Sequence, residues 1–439
     1  MSKYEKYISS GIDFLGDIPN HWKRKRIKDV SDTIAGGTPD TGKEAYWEGD
    51  IPWLPSGKVQ NCIINKEDAD TFITELGLKN SATKMLPYPS VLVALTGATC
   101  SNIGYLTFDA CANQSVVGMP GSKQLHPSYL YHTLQSQKEQ ILLHQTGGAQ
   151  GGISERNVKF LFIPLPPPAE QLTIANYLDD QTQKIDRLIA NKKVQVDKLK
   201  ELRQIEINKA VTKGLNPNAE MKDSGIDWLG KIPKHWEVKR LKNVSNFIQT
   251  GITPPSEKSE YYDGDIPWYG PGGFSGDTIL SNPAKYITQK AIDDNEAKLF
   301  PIDCIFMIGI GATIGKVGII KEPSSCNQQL NIVNFKNYVS PDFGVYLLKT
   351  YENIIIKIAN FSTLPIYNQV QTGNLKFLLP PKEEQLQIAK YLQERTAAID
   401  KLIINIDAQI EKLQELRKIK IYEAVTGKIK VNAYVETTA

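Results

Sequence analysis

The chain of 439 residues lacks any apolar run near the ~18 consecutive residues that span a bilayer, and its start, MSKYEKYISS, has no apolar signal core. No membrane association is therefore expected, and a cytoplasmic location is. Cysteine is scarce. Cys62, Cys100, Cys111, Cys304 and Cys326 are odd in number and show no metal-ligand pairing, so reduced thiols are expected rather than a disulfide framework or a zinc site. Histidine is equally sparse, and His21, His126, His132, His144 and His235 form no ligand-spaced cluster. An excess of one charge is missing too. The 51 Lys and Arg against 48 Asp and Glu leave a net charge of +3, so a polyanion would have to be met by local patches.

Catalytic motifs are also absent. GIGATIGKV (Gly309–Val317) misplaces the first glycine of a Walker loop and puts Val317 where a Mg²⁺-binding hydroxyl belongs. The matching GATCSNIG has Asn102 where Lys316 would align, so turn or strand-edge glycines are the expectation. The double prolines lie in ITPPSE, LPPPAE and LPPKEE, none of which is the Asn/Asp-Pro-Pro-aromatic motif of base methylation. No catalytic residue and no metal ligand is expected.

What is present is repetition. Ser10–Val30 and Ser224–Val244 share 14 of 21 residues at an offset of 214, around a core of Gly-x-Ile-Pro-x-His-Trp. Each His-Trp pair, His21-Trp22 and His235-Trp236, reads as a packing clip. Basic residues follow: Lys23-Arg24-Lys25-Arg26 recurs in reduced form as Lys239-Arg240, either a solvated face or a phosphate-gripping patch. Next, in each half, come about 140 residues rich in Gly, Pro, Thr, Val and aromatics, with short apolar runs such as SVLVALTGAT and CIFMIGIGAT that signal strands and turns. Landmarks recur within them: YWEGDIPW and YYDGDIPW, two GAT blocks, and Asn113-Gln114 with Asn327-Gln328. The remainder of the two regions differs.

Each half closes on a helix. PLPPPAEQ and LLPPKEEQ place proline where a first helical turn tolerates it, and Glu170 and Glu384 sit near the positive end of the helix dipole. From there to Thr212 and Thr426 neither Pro nor Gly interrupts, a rod on the order of 60 Å. In the second copy Leu392, Ile399, Ile406 and Leu413 recur every seven residues, with Leu402, Gln409 and Leu416 three further on. The first copy has Leu178, Ile185, Lys192 and Leu199, with Leu188, Gln195 and Leu202. This is the pattern of a coiled-coil seam, and it predicts that the two helices pair with one another. The cyclic order of clip, variable region and helix, twice over, predicts a pseudo-two-fold arrangement with antiparallel helices.

In that order the SGIDxLGxIPxHW segments, GDIPW turns (Gly49–Trp53, Gly264–Trp268), GAT blocks and PPxxEQ helix starts (Pro167–Gln171, Pro381–Gln385) cover nearly the whole chain. The chain thereby resembles the specificity subunit of type I restriction–modification systems. The resemblance implies a mixed α/β (α+β) fold: two globular target recognition domains separated by a pair of long antiparallel coiled-coil helices. Its implied boundaries are an N-terminal segment 1–22 near the C-terminal helix, a recognition domain 23–168, a helix 169–215, a linker and clip 216–236, a second recognition domain 237–380, a helix 381–429 and a tail 430–439.

The implied function is non-catalytic: recognition of an asymmetric bipartite target in double-stranded DNA, one half-site per domain, with docking of two methyltransferase subunits and of restriction subunits. S-adenosylmethionine, ATP and Mg²⁺ would belong to those partners, with no cofactor bound here. Polar loop residues that suit base edges and phosphates are Lys25, Arg26, Thr38, Lys43, Tyr46, Lys58, Gln60, Asn61, Gln150, Ser154 and Arg156 in the first domain. In the second they are Lys239, Arg240, Thr253, Ser256, Lys258, Tyr261, Tyr269, Ser275, Tyr367, Asn368 and Gln369. A coiled-coil scaffold that reads no DNA, and an enzyme with an unrecognised site, are the competing readings.

Overall fold

The computed structural model describes residues 2–146, 151–359 and 365–432. The chain divides into two units, Met1–Lys193 with Ala408–Ala439, and Val194–Asp407. Each carries a mixed α/β domain and segments of both long helices.

In the first unit a five-stranded sheet has the order Ile34–Ala35, Val116–Pro120, Ser90–Ala94, Ile103–Leu106, Cys62–Ile64. Its central strand, SVLVA, is buried at every position, which is why it reads as an unbroken apolar run rather than an alternating one. A three-stranded sheet sets Trp47–Leu54 between Cys111–Ala112 and Phe72–Ile73. The second unit repeats the plan. Four strands run Ser245–Thr250, Leu330–Phe335, Ile305–Ile308, Val317–Ile319, and Tyr262–Tyr269 lies between Lys285–Ile287 and Ser325–Cys326. In each unit a two-stranded ribbon joins the strand after the clip to the strand before the long helix: Lys23–Arg26 with Phe162–Leu165, and Glu237–Arg240 with Lys376–Leu379.

The long helices span Pro168–Lys213 and Lys382–Val425. Within each unit their segments run antiparallel. Arg417 Nε donates to Asp186 Oδ1 at 3.0 Å in the first unit, and Arg203 Nε pairs with Asp400 Oδ1 at 3.0 Å in the second. Because 203 and 186 become 417 and 400 at the offset of 214, this is one ion pair made twice. Ile174, Ala175 and Leu178 share a core with Ile421, Ala424 and Val425, as Ile207, Ala210 and Val211 do with Ile388, Ala389 and Leu392.

The seam differs from the expected one at its second position. Leu178, Ile185, Leu392 and Ile399 are buried, but the second buried positions lie four residues after the seven-residue series, at Thr182, Ile189, Val196, Thr396 and Ile410. Leu188, Leu402 and Leu416, expected three residues on, are 50%, 51% and 41% exposed, and Gln195 is exposed. The flank three residues on carries the leucines and the flank four residues on carries Ile, Val and Thr, so spacing and residue type together select the wrong one. Ile406, Leu413, Leu199, Leu202 and Gln409 are partly buried.

The matched PPxxEQ starts have a structural cause. Gln171, fully buried, accepts from His126 N (2.8 Å) and donates to the carbonyls of Gln124 and Pro166 (2.8 Å each). Gln385 does the same with Ser340 N (2.7 Å) and the carbonyls of Tyr338 (3.3 Å) and Pro380 (2.8 Å). The preceding glutamates hold the clips: His21 Nε2 lies 2.9 Å from Glu170 Oε2, and His235 Nε2 lies 2.7 Å from Glu384 Oε2. The first clip also meets the end of the second long helix, where Tyr7 OH donates to Gly427 O (2.9 Å) and Lys428 Nζ to Asp17 O (2.7 Å).

Candidate nucleic-acid interface

Five loops of the first unit are stitched together along one edge of its sheets. Gly36 N and Gly37 N donate to Val116 O and Ala112 O, and Trp53 Nε1 donates to Gly37 O at 2.9 Å. Asn113 N donates to Leu54 O, Leu95 N to Ser115 O, and Ile153 N to Leu95 O. Thr96 Oγ1 reaches Ser115 Oγ at 2.7 Å. The approach is close enough that a Cβ on Gly36 would collide with the carbonyl oxygen of Asn113. What results is a rigid rim of exposed polar side chains on backbone that has already spent its hydrogen bonds.

The second unit builds the same rim. Trp268 Nε1 donates to Ile252 O (3.2 Å), Asn327 N to Tyr269 O, Gly309 N to Gln329 O and Tyr367 N to Gly309 O. A Cβ on Gly251 would strike Cys326 O. Two side-chain pairs recur on both rims. Thr38 Oγ1 bonds Gln114 Oε1, and Thr253 Oγ1 bonds Gln328 Oε1 at 2.6 Å. Lys43 Nζ lies 3.4 Å from Tyr46 OH and 5.2 Å from its ring, and Lys258 Nζ lies 3.3 Å from Tyr261 OH and 5.1 Å from its ring.

Other candidates are placed less uniformly. Lys58 pairs with Asp70 at 2.7 Å, which holds the carboxyl of Asp70 below its ordinary range through the hydrogen bond from Lys58. Gln60 Nε2 donates to Gly57 O (2.8 Å). Asn61, at φ 57°, donates to Asn102 Oδ1 and accepts from Ile103 N, so its amide braces its loop against the one that ends at Asn102. Ser154 and Asn368 are N-caps, accepting from Asn157 N (3.2 Å) and Gln371 N (3.0 Å). Ser275 bonds Asp277 (2.6 Å), Lys239 pairs with Glu237 (2.7 Å), and Ser256, Arg240 and Gln369 are exposed. Gln150 lies outside the described residues.

Three tyrosines are corrected. Tyr261, Tyr269 and Tyr367 are 3%, 1% and 3% exposed, and their hydroxyls donate to Asp294, Leu280 O and Gln371 O. They are interior residues with satisfied hydroxyls, not surface contacts. Gln114 and Gln328, exposed on matched turns, join the candidates, and the repeated Asn-Gln dipeptide is the sequence signal that marks them. Among the described residues no group of three or more His, Cys, Asp or Glu is placed to hold a metal ion, and no helix is long and apolar enough to cross a membrane.

Two repeated domains of this topology, each with a rim of polar loops and a long helix, define a duplicated recognition module. The model of the type I restriction modification DNA specificity domain matches the chain twice, over residues 19–198 and 233–412. The chain belongs to that family: it is a DNA-specificity subunit of the type I restriction–modification class, which recognises target DNA, is not itself the catalyst and has no catalytic cofactor of its own. The type I restriction enzyme MjaIX specificity subunit of Methanocaldococcus jannaschii is 25% identical over 433 residues, covering 95% of each chain. The EcoR124I/EcoR124II specificity subunit of Escherichia coli is 26% identical over 161 residues, 35% of this chain and 39% of that one. Among solved structures, one from work on complex assembly and conformational transition of the type I R-M system superposes with a TM-score of 0.73 at 18% identity, covering 94% of this chain and 99% of that one. The HsdS subunit from Thermoanaerobacter tengcongensis gives a TM-score of 0.51 at 17% identity, covering 94% of this chain and 98% of its own.

Proposed function

We propose that each unit reads one half of an asymmetric bipartite duplex target, and that the long helices set the spacing between half-sites. The observation that carries this is the matched rim with unmatched loops. Both rims keep the Thr–Gln and Lys–Tyr pairs, while Lys58–Asn61 gives way to Gly273–Gly276 and Ser154–Arg156 to Asn368–Val370. A frame held constant under changing donors and acceptors is what two readers of different base edges require. Thr38, Lys43, Tyr46, Arg156, Thr253, Ser256, Lys258 and Gln369 are the reading or gripping side chains this favours.

The same reading gives the chain two methyltransferase partners and, beyond them, restriction subunits, with S-adenosylmethionine, ATP and Mg²⁺ held by those partners. Its support lies on the helices. Leu172, Leu188 and Ile205 are 43%, 50% and 52% exposed, and their counterparts Leu386, Leu402 and Ile419 are 51%, 51% and 43% exposed. An apolar residue left in water at the same place in both copies suits two copies of one partner. Replacing residues 23–165 with the equivalent region of another specificity subunit tests the reading. Methylated positions in DNA modified by the assembled complex are then mapped. One half of the recognised sequence changes and the other stays; a change in both halves would sink the two-reader model.

A further inference from the structure

The ribbons beside the two rims differ in a way the rims do not. In the first unit Arg24 and Arg26 point from alternate positions of one strand to the face that carries Phe162, each guanidinium 4.9 Å from its ring. Arg26, Lys28 and Arg156 surround Phe160 at 5.2, 4.3 and 5.7 Å. Phe160 itself is 38% exposed. Arg24 is tied to the clip, donating to Ser10 O at 2.6 Å; Asp29 Oδ2 accepts from Arg26 N at 3.2 Å, but among the described residues no carboxylate pairs with the guanidinium of Arg26 or Arg156 or the ammonium of Lys28. At the matched places the second unit has Val238 for Arg24, Val370 for Arg156, Asn374 for Phe160 and Lys376 for Phe162, and keeps only Arg240 and Lys242.

We propose that Arg26, Lys28 and Arg156, laid on Phe160 and Phe162, form a sequence-indifferent grip on the DNA phosphate backbone that the first unit possesses and the second has in reduced form. This rests on the DNA-reading function proposed above. A cation held over an aromatic face is fixed by the ring and leaves its N–H donors free at the edge. Arg26 and Arg156 therefore offer oriented donors without the rotamer entropy that a free surface arginine loses on binding. The side chains laid on the rings are all cations, and the nearby Asp29 carboxylate is engaged by Arg26 N at 3.2 Å, which suits phosphate oxygens better than base edges, where donors and acceptors alternate. Its place fits. The helix Glu155–Phe160 starts two residues after Ile153, which bonds Leu95 on the rim, so the cluster lies about one and a half helical turns from the reading loops. The second unit offers Arg240, Lys242 and Lys376 there with no ring among the described residues to fix them, so the anchor makes the two halves of the target unequal: the first half-site supplies more of the salt-sensitive affinity.

The test uses the full chain assembled with its methyltransferase partner and duplexes carrying the mapped target. Neutralising Arg26→Gln with Arg156→Gln lowers the slope of log K against log[salt] by about 2, at ~0.9 per phosphate released, and leaves the ranking of base-substituted targets unchanged. Arg26→Lys with Arg156→Lys restores most of the slope, a recovery that damaged folding would not give. Transplanting the device, Val370→Arg with Asn374→Phe, raises the slope by about 1. An unchanged slope in the Gln variant or in the transplant overturns the grip, and an altered base ranking reassigns these residues to base reading. Normal DNA binding with lost methyltransferase assembly makes the patch a protein interface instead. If the unaltered complex prefers no sequence, the functional reading fails on its own, because the slope can still be measured on any duplex.

Discussion

Single side chains explain why so few residues recur between halves that fold alike. Gln171 and Gln385 each satisfy three backbone groups at a buried helix start, where an unpaired group costs about 1–3 kcal/mol, so the Gln of the EQ pair is structural. The halves part at Gln135 and its counterpart Lys349. Lys349 Nζ donates to Gly276 O at 2.6 Å, and burial, then the charge of Arg203, pushes its pKa down to about 8. An unfolded lysine titrates near 10.4, so between about pH 8 and 10.4 the unfolded chain binds more protons. The penalty is present in full below pH 8 and is relieved as pH rises through that window. Lys349→Gln, which installs the first unit's residue, should therefore flatten the rise in stability between pH 8 and 10. Denaturant midpoints of both proteins across that range check it; parallel profiles would show that Lys349 titrates as a free lysine. At this scale the sequence was only partly legible. The polar pairs Thr38–Gln114 and Lys43–Tyr46 sit in loops whose turn chemistry is plain, whereas Tyr269 and Tyr367 look like loop aromatics and are interior, because nothing local records which way a tyrosine faces.

Among the elements, the long helices were the most legible and the seam within them the least. Absence of Pro and Gly and the PPxxEQ starts mark both helices to within a few residues of Pro168–Lys213 and Lys382–Val425. The heptad itself is also plain, but its second position is ambiguous, since Leu188 and Ile189 are adjacent and either completes a repeat. Antiparallel packing selects Ile189, 9% exposed, and leaves Leu188 half in water. The two leucine-like positions should then separate by measurement. Ile189→Ala, at a site 9% exposed, is expected to cost about 2–5 kcal/mol and to lower the thermal midpoint. Leu188→Ala is expected to stay within about 0.5 kcal/mol of the parent while weakening capture of the methyltransferase subunit. Equal destabilisation by both would return Leu188 to the seam. The short strands were less legible than either helix, because Ile34–Ala35 and Phe72–Ile73 are two residues long and exist only through their neighbours.

For the whole molecule, repetition does what symmetry does in a homodimer while leaving each copy free to diverge. Each long helix contributes to both units, residues 168–193 to the first and 194–213 to the second, with the reverse holding for the second helix. Asp186–Arg417 ties the two helices together in the first unit and Asp400–Arg203 does so in the second, so length is not expected to change in one helix alone without loss of pairing. A heptad inserted after Lys193 only would slide every contact beyond it by seven residues against an unaltered partner and break one of the two ion pairs. The complex is then expected to assemble poorly. Heptads inserted after Lys193 and after its counterpart Asp407 together preserve both ion pairs and the alternation of four and three residues along the seam. Seven residues add about 10 Å of helix. At 3.4 Å per base pair that corresponds to a spacer longer by about three base pairs. Mapping of methylated positions should find both original half-sites retained and the distance between them increased. Recovery of the original spacing from a stable double-insertion complex would refute the helices as the measure of that distance.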